Sequence, residues 1–105
     1  MMSRDQEIYE KIGELLMSSA PKKSNRIIMR AELSNKSDHC RFEFDWVDGK
    51  GNTEWYMVES NITDELTDFL IELNDFFVSQ NQPSWNSCQF TLEINGKFGI
   101  EFDYD

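Results

Sequence analysis

Two stretches decide the fold: Ile27-Ile28-Met29-Arg30-Ala31-Glu32-Leu33 and, beyond the polar break Ser34-Asn35-Lys36-Ser37-Asp38, Cys40-Arg41-Phe42-Glu43-Phe44-Asp45-Trp46. In each, apolar residues alternate with polar ones. Successive strand side chains point to opposite faces, so this period of two predicts two strands with one buried face. Pairing Leu33 with Cys40 in an antiparallel hairpin sets Ala31 against Phe42, Met29 against Phe44 and Ile27 against Trp46. The same register brings Arg30 opposite Glu43 and Glu32 opposite Arg41 on the other face. Complementary charges falling out of a register chosen for apolar matching support it independently, and give those charges a structural role.

Working outward, Asp48-Gly49-Lys50-Gly51-Asn52 reads as the next hairpin loop. A four-residue loop, Gly49 to Asn52, would place Trp46 opposite Trp55 and Phe44 opposite Met57, uniting the apolar faces. Asp45, Asp48 and Glu54 superficially suggest calcium, but the alternating oxygen ligands and central glycine of such loops are missing. Near the C-terminus, Cys88, Phe90 and Leu92, then Phe98, Ile100 and Phe102 with Tyr104, form two more alternating runs around Asn95-Gly96. A two-residue turn would send these two sets to opposite faces. A three-residue loop, Ile94-Asn95-Gly96, with Gly96 in the left-handed bulge position, pairs Leu92 with Phe98, Phe90 with Ile100 and Cys88 with Phe102. It also sets Glu93 opposite Lys97.

Two amphipathic helices complete the chain. Ser3 and Gln6 have capping-box spacing ahead of Ile8, Ile12, Leu15 and Leu16, with Tyr9 at the stripe's edge and Glu7 and Lys11 paired on the far face. Pro21 ends this helix, and Lys22-Lys23-Ser24-Asn25 follows as a loop. The second helix is expected to start near an N-cap at Thr63, with Asp64 and Glu65 in its first turn. Leu66, Phe69, Leu70, Leu73, Phe76 and Phe77 share one helical face, and Asp64, Glu65, Asp68, Glu72 and Asp75 share another. Ile71 projects among the acids. The predicted order is α-β-β-β-α-β-β in a single domain spanning residues 1–105: an α+β two-layer sandwich, its antiparallel sheet covered by helices on one face.

Composition narrows the function. Hydrophobic residues at 39% and aromatics at 13% argue against disorder. No apolar run approaches the roughly 20 residues that span a bilayer, and the N-terminus lacks a signal peptide's apolar stretch, so a cytoplasmic location is expected. Cys40 and Cys88 are then expected to be reduced thiols. A net charge of −10 disfavours nucleic acid and anionic membranes as partners. Residues 1–52 carry nine basic and nine acidic residues, whereas residues 53–105 carry one lysine against eleven acids, so the whole excess lies in the second half. Such an excess serves solubility, or it meets a basic partner. The chemistry of an enzyme is missing. His39 is the only histidine, it alternates to the opposite face from Cys40, and no phosphate loop, metal-ligand motif or cofactor fingerprint occurs. No catalytic role, metal or cofactor is expected.

Pro83-Ser84-Trp85, followed by Phe90-Thr91-Leu92-Glu93-Ile94-Asn95-Gly96-Lys97-Phe98 and ending Phe102-Asp103-Tyr104-Asp105, resembles the C-terminal signature of YezG-type immunity proteins. Ile8-Tyr9-Glu10-Lys11-Ile12-Gly13-Glu14-Leu15-Leu16 through Pro21 is similar to that family's first helix, while the loop after Pro21 departs from it in being basic and lacking a Trp. The resemblance implies an antitoxin, encoded beside a polymorphic or contact-dependent toxin and often facing a nuclease domain, that occludes its target without catalysis. An acidic inhibitor suits a nuclease's basic groove. The alternative is a type III secretion-type chaperone, also small and acidic with a similar element order. Such chaperones expose apolar patches to an effector segment and normally carry a further C-terminal helix, whereas this sequence ends at Asp105. The expected partner-binding face is Asp64, Glu65, Asp68, Glu72 and Asp75 of the second helix, with Ile71 as apolar anchor; rival surfaces are Glu54 and Glu59 on the third strand, and Glu101, Asp103 and Asp105.

Overall fold

In the computed structural model, which describes residues 3–33 and 40–104, the alternating runs are strands and the amphipathic segments are helices. The order is α1 (Arg4–Ser19), β1 (Arg26–Leu33), β2 (Cys40–Val47), β3 (Thr53–Trp55), α2 (Ser60–Ser79), β4 (Ser87–Glu93) and β5 (Phe98–Asp103). The expectations placed on the loop at 34–39, with its His39, and on Asp105 lie outside the described residues. The strands form one antiparallel sheet in the order β3-β2-β1-β4-β5. Register along β1 and β2 is the one read from the sequence, from Ile27↔Trp46 to Leu33↔Cys40. The central β1–β4 ladder joins segments far apart in the chain, pairing Ile27 with Leu92, Met29 with Phe90 and Ala31 with Cys88.

Both helices lie on the sheet face that carries these apolar residues. Ile8, Ile12 and Leu16 of α1 and Leu66, Leu70, Leu73 and Phe77 of α2 are buried in one cluster with Ile27, Met29, Phe44, Phe90 and Leu92. Each large side chain removed from water in this way contributes roughly 1.5–3 kcal/mol. Among the described residues the opposite face carries no helix. It displays Arg30, Glu32, Arg41, Glu43, Glu101 and Asp103 around a shallow open depression. Arg30 forms its ion pair there diagonally, with Asp45 at 2.7 Å rather than with Glu43 directly across, and Arg26 pairs with Glu93 at 3.0 Å.

The two outer hairpins use the same turn. In β4–β5 the Glu93 N–H donates to the Lys97 carbonyl (2.8 Å), the Gly96 N–H donates to the Glu93 carbonyl (2.9 Å), and Gly96 has φ +90°. In β2–β3 the Asp48 N–H donates to the Asn52 carbonyl (3.0 Å), the Gly51 N–H donates to the Asp48 carbonyl (3.1 Å), and Gly51 has φ +87°. Both are three-residue loops closed by a left-handed glycine. The Asp48 carboxylate fastens the first by accepting from the Lys50 N–H (2.8 Å) and the Asn52 N–H (3.0 Å). These amide bonds, that from Asn52 foremost, hold its pKa below the usual carboxylate range.

This turn corrects the register expected between β2 and β3. The observed pairs are Asp45↔Trp55, Trp46↔Glu54 and Val47↔Thr53, one residue away from the pairing of Trp46 with Trp55. A shift of one residue exchanges the two faces of a strand. Trp55 therefore stands on the helix-free face, and Tyr56 points inward in its place. Replacing Gly51 with Ala should cost about 1–2 kcal/mol of unfolding free energy in urea titrations, because a Cβ is strained in the left-handed region. Gly96→Ala should behave alike.

Helix boundaries also needed correction. α2 begins at Ser60 with Glu59 as its cap residue, one turn before the expected start. The Thr63 hydroxyl caps nothing; it donates back to the Ser60 carbonyl (3.0 Å), and Asp64 and Glu65 follow the first turn. At α1, Ser3 is the cap residue but makes no side-chain cap, its hydroxyl donating to the Asp5 carboxylate instead. Glu7 accepts from Arg4 (2.8 Å) rather than pairing with Lys11, whose ammonium lies 3.8 Å from Glu14.

Candidate functional site

The acidic face of α2 forms as a contiguous strip. Asp64, Glu65, Asp68 and Asp75 are exposed and make no ion pair among the described residues. Their spacing along twenty helical residues keeps them on one side, away from Leu66, Leu70, Leu73 and Phe77. Two members of the expected face behave differently. Glu72 is clasped by Arg4 of α1, whose Nε lies 2.9 Å from Oε1, so its charge is neutralised and it ties the helices together. The same contact, with that to Glu7, pushes the Arg4 pKa up. Ile71 does not project freely among the acids but is half-buried and packs against the core. It lies on the same flank of α2 as Thr67 and Asn74, which the layer beneath covers.

The rival acids fall on two other surfaces. Glu101 and Asp103 stand exposed on β5, on the sheet's helix-free face, opposite Gln89 and Ser87. Asp103 accepts a hydrogen bond from the Ser87 hydroxyl at 3.1 Å. In a two-layer fold that face and the solvent side of α2 look in opposite directions, so no single flat partner surface meets both. Glu54 is exposed on β3, whereas Glu59 is not on the third strand at all: it caps α2. Both lie at the β3 edge of the sheet, Glu54 opposite Trp46 and so on the side away from Trp55. At that edge the sequence reading missed the largest exposed apolar groups, Trp55 at 73% and Met57 at 83% exposure. The signal that would have found them was the Asp48-to-Gly51 turn, whose glycine spacing repeats that of Glu93 to Gly96.

Of the two cysteines, Cys88 is buried and Cys40 half-buried. Cys40 pairs with Leu33 and Cys88 with Ala31, on strands flanking β1. Two strand spacings amount to roughly 9.6 Å, beyond the roughly 6.8 Å Cα separation a disulfide tolerates. Burial pushes the Cys40 thiol up to about 11 and the Cys88 thiol up to about 12, so neither supplies a thiolate near neutrality. Burial likewise raises the Tyr9 hydroxyl to about 12. Among the described residues no three His, Cys, Asp or Glu side chains are grouped to hold a metal ion. No helix there is long and apolar enough to cross a membrane.

The described surface offers a carboxylate strip, a mixed-charge sheet face and an aromatic edge. Its sequence matches the family model of YezG-like immunity proteins over residues 6–105, and the chain belongs to that family. It is similar to Immunity protein YezG of Bacillus spizizenii, with 23% identity over 110 positions that cover 94% of this chain and 68% of the relative.

Proposed function

We propose that this chain is a cytoplasmic immunity protein that binds a cognate toxin domain, a basic nuclease of a polymorphic or contact-dependent system, and neutralises it by covering its substrate groove. The observation that carries this reading is the strip of Asp64, Glu65, Asp68 and Asp75, exposed and without ion pairs among the described residues, in a chain of net charge −10. A nuclease holds polyanion in a basic groove, and an acidic helix face competes for it while steering the encounter. The mechanism needs no catalytic group from this chain. Membership of an immunity-protein family favours it over the secretion-chaperone reading.

The test is inhibition. The toxin domain encoded beside the gene should lose its nuclease activity at one equivalent of this protein. Asp64→Lys, Asp68→Lys and Asp75→Lys together should slow association about tenfold or more and weaken its salt dependence. Glu72 and Ile71 are left intact in that variant, because one is held by Arg4 and the other packs on the core. An unchanged association rate would remove the helix from the interface.

A further inference from the structure

The turn that slides β3 by one residue leaves Trp55 and Met57 without a place in the core. Their exposure is not that of a loose loop. Between them the Tyr56 N–H donates to the Phe44 carbonyl (3.1 Å), and the Tyr56 ring packs 5.8 Å from that of Phe44. Val58, just beyond, also packs on the core. Two large apolar side chains are thus held outward by anchored neighbours. β3 stops at Trp55 while β2 continues to Cys40, and beside that unmatched length of β2 opens a groove of about 480 Å³. Phe42, Phe44, Trp55, Tyr56 and Met57 wall it, and it reaches Thr63 in α2.

Its charge is one-sided. Glu43 and Asp45 line the groove, and among the described residues no lysine or arginine does. Arg30 neutralises Asp45, whereas Glu43 is exposed and makes no ion pair among the described residues. We infer that this groove is the apolar anchor point of the toxin interface, and that its occupant is an arginine-bearing segment of a basic toxin, the guanidinium stacking on Trp55 and meeting the Glu43 carboxylate. The inference rests on the toxin-binding reading above. An exposed indole beside the unpaired Glu43 carboxylate suits a guanidinium, since the ring face and the acid both attract its charge. Aromatic anchors inside a polar rim are where binding energy concentrates. A second copy of this chain is a poor occupant, because it would press acids against acids.

The probe is the toxin domain encoded beside the gene, inactivated by mutation in its catalytic site and immobilised for kinetic binding. Trp55→Ala should weaken binding roughly 30-fold, chiefly through faster dissociation. Met57→Ala should act in the same direction, and Trp55→Phe should restore part of the loss. Glu43→Gln should instead slow association and flatten its salt dependence. Thermal melting should be unmoved by Trp55→Ala, because the side chain is outside the core; Met57→Ala gives a second, smaller perturbation if it is not. Wild-type kinetics in both alanine variants overturns the inference while leaving the toxin-binding reading intact. A wild-type dimer that Trp55→Ala turns into a monomer, seen by sedimentation, also overturns it, because the groove then seats a second copy. A wild-type chain that fails to bind the toxin overturns the functional reading and this inference together.

Discussion

Trp85→Ala is expected to lower the free energy of unfolding by about 4 kcal/mol. Trp85 is 1% exposed, and its ring lies 5.1 Å from that of Phe102, which in turn meets Phe77 of α2 at 4.9 Å. Its backbone is held as firmly as its ring. The Trp85 N–H donates to Asn74 Oδ1 (3.2 Å), and Asn74, only 4% exposed, also donates from Nδ2 to the Ser84 hydroxyl (3.1 Å). A buried asparagine is expensive unless its polar atoms are matched, and here the loop entering β4 matches them. Small domains keep only about 5–15 kcal/mol of net stability, so this one truncation removes a large share. Urea titration measures it, and a loss under about 1.5 kcal/mol would place Trp85 at the surface rather than in the core.

That prediction also bears on what the family signature encodes. Pro83-Ser84-Trp85 belongs to the clamp between α2 and β4, and Phe90 and Leu92 are buried inner-face residues. Asn95-Gly96 is the left-handed turn, with the Asn95 side chain accepting from the Lys97 N–H (3.0 Å). The residues that carry the resemblance build the fold. Those proposed to meet the toxin, on α2 and around Trp55, fall outside the signature. A family can keep such a scaffold while its members differ in what they bind, since function resides in sites carried by a fold.

Much of the architecture was legible because it is local. Alternation gave the strands, and opposed apolar sets fixed β1 against β2 and β4 against β5 with every pair correct. The pairing of β1 with β4 was not legible, since no periodicity states which distant strand lies beside which. The β2–β3 error has a sharper cause. Matching Trp46 to Trp55 favoured apolar burial over turn chemistry, yet Gly51 takes the same left-handed role as Gly96 and decides the register. The start of α2 was hidden because Ser60-Asn61-Ile62-Thr63 resembles a capping segment, with Ile62 its only apolar residue. Of the candidate site, the acidic strip was visible from helical spacing alone. Glu72's engagement by Arg4 was not, because that contact joins residues 68 positions apart. Ile71 was misplaced for a related reason: a helical wheel gives direction, and only packing gives depth.

The last expected result is a crossing of two stability curves. Burial holds the Cys88 thiol protonated up to about 12, against an ordinary value of 9.0. Below pH 9 the thiol is neutral in folded and unfolded chains alike, and it adds no pH dependence. Above pH 9 the unfolded chain releases the proton that the folded chain retains, so stability falls as pH rises, by about 1.4 kcal/mol per unit. Between pH 8 and pH 11 this single group should remove about 2.5 kcal/mol. Cys40 and Tyr9, raised by burial in the same sense but more exposed, steepen the decline in any chain that contains them. Cys88→Ala deletes its own contribution and the lesser part of the Tyr9 shift that comes from its charge, and leaves the rest in place. At pH 8 the variant should be less stable by about 1–2 kcal/mol, for the loss of a buried sulfur from the β1–β4 interior. By pH 11 that order should reverse, with the curves meeting near pH 10. Urea midpoints at constant ionic strength would follow both chains across this range. Parallel curves would mean that water reaches Cys88, and with it the inner face of the sheet.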